Sequence, residues 1–259
     1  MLEAKFSEAS LFKRIIDSFK DCVELVNFVC DEHGIEAQAV DDSRVLLVVL
    51  KIEPSAFESF RCDKPVTLGL NLTSLSKVLR CGNNSDTLTL IADDEPDSIF
   101  VLFEDSKKNK ISEYSLKLME IDADMLRIDD MKYDCTINMS SVEFAKTVRD
   151  LSQLNDSFNV FVKKDAIKFV AEGDIGSGSV VLKPENDLEK PDERIEVHLS
   201  QPVELAFSTK YLLDIVKAST LSNQIIIKFA SESPALFEFK LNSGGYLDFH
   251  LAPKYNEEE

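Results

Sequence analysis

Apolar residues follow two rhythms along this chain. Near residues 10–20 they recur at i, i+3 and i+4 spacing (Phe12, Ile15, Ile16, Phe19), and three later stretches repeat that spacing. Four amphipathic helices are predicted: Ser10–Lys20, Leu72–Cys81, Ser141–Gln153 and Thr209–Ala218. Ser10, Thr73, Ser140 or Ser141, and Ser208 or Thr209 are the expected N-caps. Elsewhere the apolar residues alternate or run together, as strands do, in VELVNFVC, VLLVVLKI, DTLTLIA, SIFVLFE, SFNVFV, AIKFVAEG, SVVLK, QIIIKFA and ALFEFKL. DEHG, GNNSD, SESP and NSGG supply turns. Strands dominate, and each helix has a single apolar face, so it packs on a sheet and leaves its other face free. The expected class is α+β, built from antiparallel sheets.

The pattern also repeats. At a constant offset of 132 residues Phe12 falls on Phe144, Arg14 on Lys146, Ile16 on Val148, Ile35 on Ile167 and Asp42 on Asp174. At an offset of 137, Val66 meets Val203, Leu68 meets Leu205, Leu75 meets Leu212 and Arg80 meets Lys217. Two similar domains are expected, 1–118 and 136–259, joined by a connecting segment, 119–135; each domain holds two similar helix-plus-strand quarters.

Charge changes the picture. The chain carries a formal net charge of -18, which opposes binding of phosphates over its whole surface. Its distribution is uneven. The four helices hold nine basic residues (Lys13, Arg14, Lys20, Lys77, Arg80, Lys146, Arg149, Lys210, Lys217) against four acidic ones, leaving 20 of the 29 basic and 43 of the 47 acidic residues elsewhere. One basic helix is ordinarily a solvated face. Four at repeat-equivalent places point to a shared anionic ligand.

Other features suggest no chemistry. Hydrophobic content of 44% sustains a core, and no apolar run is long enough to span a membrane. The opening MLEAKFSEASLF has charges where a signal peptide needs its apolar region, so secretion is not expected. Cys22, Cys30, Cys62, Cys81 and Cys135 are scattered without metal spacing and read as reduced thiols. GDIGSGS lacks the Lys-Ser or Lys-Thr of a phosphate loop and reads as a Gly-containing edge strand. The acidic pairs lie in turns, and His33, His198 and His250 have no nucleophile pattern around them. Catalytic residues, metal and cofactor are all expected to be none. The segment LMEIDADMLRIDDMKYDC interleaves five Asp and one Glu with Met119, Ile121, Met125, Leu126, Ile128, Met131 and Tyr133; it is either a linker pinned to its own domain or a docking strip for an apolar peptide.

Over essentially its full length the chain resembles the eukaryotic sliding clamps, the proliferating cell nuclear antigen family, of fungal type. The matching stretches are LFKRIIDSFKD, QAVDDSRVLLV, LTSLSKVLRCGNNSDTLTLIA, EYSLKLMEIDAD, KFVAEGDIGSGSV and LAPK. The resemblance implies the DNA clamp fold and a closed homotrimeric ring, with sheets outside and twelve helices lining the hole. At roughly 10 Å per helix the hole is about 35 Å across, enough for a hydrated duplex. The nine basic residues then face DNA and contact phosphates without reading sequence. Ring closure is implied between the strand holding Ile111, Tyr114 and Leu116 and the neighbour's Ile175, Ser177, Gly178 and Ser179. Client peptides are implied to enter a pocket of Val40, Arg44, Val45, Leu47, Leu126, Ile128, Pro234, His250, Ala252 and Pro253, with His250 where an aromatic is commoner. Lys164 aligns with the lysine that receives ubiquitin or SUMO; at Arg127 the second acceptor lysine of some fungal relatives is expected to be absent. The implied partners are duplex DNA, further copies of the chain, DNA polymerases, the clamp loader, a flap endonuclease, a DNA ligase and other clients with short peptide motifs. The implied place is the nucleus, and no membrane is involved. An acidic histone-chaperone-like scaffold would explain the net charge but not the placement of the basic residues.

Overall fold

The computed structural model describes residues 1–105, 107, 109–122, 126, 131–184, 194–231 and 233–254. They form two compact units. The first is Met1–Asp42, Val48–Leu126 and Lys240–Leu247; the second is Ser43–Leu47, Arg127–Phe239 and Asp248–Glu259.

The elements run β1 (Leu2–Phe6), α1 (Ala9–Phe19), β2 (Leu25–Asp31), β3 (Gly34–Val40), β4 (Leu46–Ile52), β5 (Ser59–Cys62), β6 (Val66–Asn71), α2 (Leu72–Leu79), β7 (Thr87–Ala92), β8 (Ser98–Asp105) and β9 (Lys110–Lys117). They continue with β10 (Cys135–Ser140), α3 (Ser141–Leu151), β11 (Ser157–Lys163), β12 (Ala166–Gly173), β13 (Gly176–Leu182), β14 (Glu196–Leu199), β15 (Val203–Ser208), α4 (Thr209–Ile215), β16 (Gln224–Ala230), β17 (Ser233–Lys240) and β18 (Gly245–Leu251). Short 3-10 turns cover Pro54–Ala56 and Val216–Thr220.

In the first unit the strands lie in the orders β5-β1-β7-β8-β9 and β4-β3-β2-β6; in the second, β13-β12-β11-β15 and β14-β10-β16-β17-β18. Neighbouring strands run antiparallel, with registers such as Val26↔Leu70 and Val160↔Leu205. The repeat is carried almost residue for residue. Helices α1 and α3, β2 and β11 start 132 apart; β6 and β15, α2 and α4, β7 and β16 start 137 apart.

Each helix begins on the same kind of bond. Ala9 N–H donates to the Asp86 carbonyl (2.7 Å), Leu72 to Glu24 (2.9 Å), Ser141 to Asn223 (3.0 Å) and Thr209 to Asp156 (3.0 Å). Every acceptor stands one residue before a strand: β7, β2, β16 and β11 in turn. Helix of one quarter and strand of the other are thus tied reciprocally, and an orphan N–H at each helix start is satisfied by backbone.

This corrects two expected caps. Ser10 lies inside α1, whose N-cap is Glu8 and has no side-chain cap bond. Thr73 lies inside α2, where Asn71 Oδ1 accepts from Ser74 N–H at 2.9 Å. Ser140 caps α3 through its hydroxyl, and Ser208 stands at the α4 start without a side-chain bond. The expected first helix is displaced by one residue from α1, the second and third run two residues past Leu79 and Leu151, and the fourth runs past Ile215 into the 3-10 turn Val216–Thr220.

The apolar faces fill the cores. Phe12, Ile15, Ile16 and Phe19 are buried, with Phe12 stacked on Phe6 at 5.3 Å. In the second unit Phe144 meets Phe169 at 6.1 Å and Phe237 at 5.9 Å. GDIGSGS is the β12–β13 hairpin, with Gly173 opposite Gly176 and β13 on the sheet edge. Gly176 holds φ +145°, and a Cβ at Gly178 would lie 2.6 Å from Leu154 Cδ1. The need for glycine there arises within the chain, from backbone angle and from packing on Leu154.

Both ends of the connecting segment are tied to their own unit. Met119 N–H donates to Gly69 carbonyl (2.9 Å), and Asn27 Nδ2 donates to Ile121 carbonyl (2.9 Å). Asp134 N–H donates to Phe229 carbonyl (2.8 Å), and its carboxylate accepts from Ser231 N–H (3.2 Å).

Candidate nucleic-acid interface and edge strands

The nine basic residues divide by environment. Arg14, Lys77, Arg80, Lys146, Arg149 and Lys210 are exposed; Lys13, Lys20 and Lys217 are half-buried. Those three are also engaged. Lys20 pairs with Asp17, and its Nζ lies 3.5 Å from Ser76 Oγ. Lys217 pairs with Asp214 at 2.7 Å. Lys13 Nζ donates to the Gly82 carbonyl at 2.6 Å and to Asn84 Oδ1 at 3.3 Å. Burial lowers the Lys13 pKa from its ordinary value, opposed by Asp86 and Asp17. Both of its bonds go to the turn after α2.

Position on the helix explains why cations are tolerated. Lys20 and Arg80 are C-cap residues of α1 and α2, while Lys77 and Arg149 lie in the last turns of α2 and α3. Positive charge offsets the carbonyl end of the helix dipole there. Between α1 and α2 the surface opens into a concavity of about 520 Å³ whose lining includes Ser10, Lys13, Arg14, Asp17, Arg80, Asn83 and Asn84. The two asparagines add donors to the two arginines, a combination suited to phosphate oxygens; sequence reading missed them because they sit in the GNNSD turn.

Strands β9 and β13 each end a sheet and leave one flank without a strand partner among the described residues. Ile111 is 68% exposed, Ile175 79% and Val181 51%, while Tyr114, Leu116 and Gly178 are half-buried and Ser177 and Ser179 exposed. Open edges with exposed apolar residues invite pairing with another chain.

The expected pocket residues fall in both units. Arg44, at φ +57°, Val45, Leu47, Pro234, His250, Ala252 and Pro253 belong to the second, where Ala252 N–H donates to the Val45 carbonyl at 2.9 Å. Val40 and Leu126 belong to the first and are exposed (39% and 51%); Ile128 and Arg127 lie outside the described residues. His250 is buried and its Nδ1 has no hydrogen-bond partner among the described residues; burial and then Lys228 lower its pKa.

Lys164 is exposed in the β11–β12 turn, beside a groove of about 900 Å³ whose lining includes Tyr133, Asp134, Lys163, Asp165 and His198. The five cysteines are free thiols; burial pushes Cys135 up to about 12 and Cys30 higher, so both stay neutral. Among the described residues no helix is long and apolar enough to cross a membrane.

The family model of the proliferating cell nuclear antigen N-terminal domain matches residues 1–126, and that of the C-terminal domain matches 127–254. The chain belongs to the proliferating cell nuclear antigen family. It is 65% identical over 259 residues to proliferating cell nuclear antigen of Saccharomyces cerevisiae and 46% identical to that of Chaetomium thermophilum, covering all of each chain in both cases. As a proliferating cell nuclear antigen it is a nuclear DNA sliding clamp: a homotrimeric ring that encircles duplex DNA, confers processivity on polymerases and receives other replication and repair factors. The antiparallel sheets and four helices agree with the clamp fold, the family is a non-catalytic one, and the acidic chaperone scaffold is not favoured.

Proposed function

We propose that the chain carries out its clamp function through three surfaces and catalyses no reaction of its own. Arg14, Lys77, Arg80, Lys146, Arg149 and Lys210 supply the track for duplex phosphates, with Lys20 and Lys217 adding field from within their ion pairs. The observation that carries this reading is the exposure of these six cations on four repeat-equivalent helices of a chain with net charge -18. Phosphate contacts hold the duplex without sequence preference, so the ring moves along it, and processivity comes from closure more than from affinity.

Ring closure joins Ile111, Tyr114 and Leu116 on β9 to Ile175–Ser179 at the start of β13 in the next copy. The head-to-tail pairing satisfies both open edges. Clients dock an aliphatic and two aromatic side chains against Val45, Leu47, Pro234, His250 and their neighbours, under the connecting segment 119–135 that joins domains 1–118 and 136–259. Lys164, exposed on the β11–β12 turn, is the acceptor for ubiquitin or SUMO.

The test is topological. Once placed by a loader, the clamp remains on circular DNA and is lost after linearisation. Equal retention on both forms, or histone binding without dependence on topology, overturns the reading.

A further inference from the structure

Lys13 is the one lysine of the half-buried three whose ammonium is held by a turn rather than by a carboxylate. Its two bonds grip the Gly82 carbonyl and the Asn84 side chain, at the loop between α2 and β7. Asn83 N–H closes that loop on Asp86 at 2.7 Å, and Ser10 N–H donates to Asn84 carbonyl at 3.1 Å. The Gly82 backbone lies flat on Phe103: a Cβ there would sit 2.1 Å from Cδ1 of the ring. Lys13 Nζ also lies 5.8 Å from the centre of the Phe103 ring, within cation–π range. Phe103 in turn meets Tyr114 edge-on at 6.0 Å, across the β8–β9 pair.

A continuous set of packed groups thus runs from helix α1 through the Gly82 turn to the open edge of the sheet, all within the first unit. We propose that Lys13 is a positioning residue for ring closure, acting through Gly82, Phe103 and Tyr114 on strand β9, and not a contact to DNA phosphate. The inference rests on β9 being the subunit edge. Removing the ammonium leaves the Gly82 carbonyl without its donor and frees Phe103 to shift, so the Tyr114 ring loses its seat and the edge strand its register for pairing.

The test compares Lys13→Met, Lys13→Arg, Lys77→Gln and Tyr114→Ala in the full chain. Sedimentation across a dilution series reads the trimer. The slope of log DNA affinity against log salt, taken where every variant is fully trimeric, reads phosphate contacts. Lys13→Met is expected to raise the concentration needed for half-trimer about fivefold and to leave the salt slope unchanged; Lys13→Arg restores most of the trimer. Lys77→Gln is expected to do the reverse, lowering the slope by about 0.9 for each phosphate it no longer neutralises, with the trimer intact. Any loss of slope in Lys13→Met, or an unchanged dilution midpoint, overturns the inference. Tyr114→Ala separates the two readings. If it leaves the trimer intact, the β9 edge falls and this inference with it. If it dissociates the trimer while Lys13→Met does not, only the inference falls. Thermal unfolding of Lys13→Met identical to the parent excludes general misfolding as the cause.

Discussion

The two units solve the same local problem with different residues. In the first, the loop after α2 is gripped by Lys13 through Gly82 and Asn84. In the second, the Ser141 hydroxyl donates to the Ser222 carbonyl and lies 3.3 Å from that of Ser219. At the 132 offset Lys13 corresponds to Ala145 and Ser141 to Ala9, so neither anchor has a counterpart. A second pair makes the same point. Gly69 and Ala206, 137 apart, each accept a bond from the segment that follows an outgoing strand, β9 or β18: Met119 N–H at 2.9 Å and Lys254 N–H at 2.7 Å. The backbone scheme is common to both units; the side chains that secure it are particular to each. The extra anchor of the first unit lies beside an open sheet edge, where small shifts alter pairing.

The largest contrast is expected in the cores. Phe144→Ala and Phe12→Ala each remove a buried ring and are expected to cost about 3–5 kcal/mol. Phe144 touches two rings and Phe12 one, so the first loss should exceed the second by about 0.5–1.5 kcal/mol. Denaturant unfolding checks the order, and the reverse order breaks the comparison.

Next is the segment anchor. A Cβ at Gly69 would stand 2.1 Å from the Met119 carbonyl oxygen. Gly69→Ala is expected to cost about 1–3 kcal/mol and to speed hydrogen exchange at the Met119 amide, whereas Ala206→Gly leaves the Lys254 amide protected. Equal protection at Met119 in both proteins would show that the segment accommodates the methyl group.

The smallest effect is a pH dependence confined to the second unit. His250 is buried with its pKa depressed, so the unfolded chain binds its proton first. Its neutral form costs nothing above the unfolded value near 6.5, and stability falls as pH drops below that value toward the folded pKa. His250→Phe is expected to flatten this fall, read by hydrogen exchange at β17 and β18 between pH 7 and pH 5. A fall unaltered by the substitution would assign it to other groups.

The duplication was legible because most of each repeat runs without a gap, so the 3.6-residue rhythm of α1 reappears in α3 in the same phase. Several strands were not. β1, β5, β9 and β14 are short or half polar and sit at or near sheet edges, where alternation is weak, and β6 and β15 pass into α2 and α4 without a break. Ser10 and Thr73 looked like caps because cap preference is read from side chains. The bonds that start these helices come from carbonyls beside strands distant in sequence, as in Ala9 to Asp86 and Thr209 to Asp156. For the basic residues, sequence indicated which helices carry them but could not separate the exposed six from the half-buried three.

Sequence by itself determined the two-fold repeat, the helices and their buried faces, and the concentration of positive charge on four helices of an acidic chain. Those properties follow from local spacing and from residue type. Tertiary structure decided what each cation is near: Lys77 left in solvent, Lys20 and Lys217 paired with carboxylates, Lys13 bonded to a turn 69 residues away. A charge acts through its distance to partners and its exposure to water, and neither exists until the chain has folded.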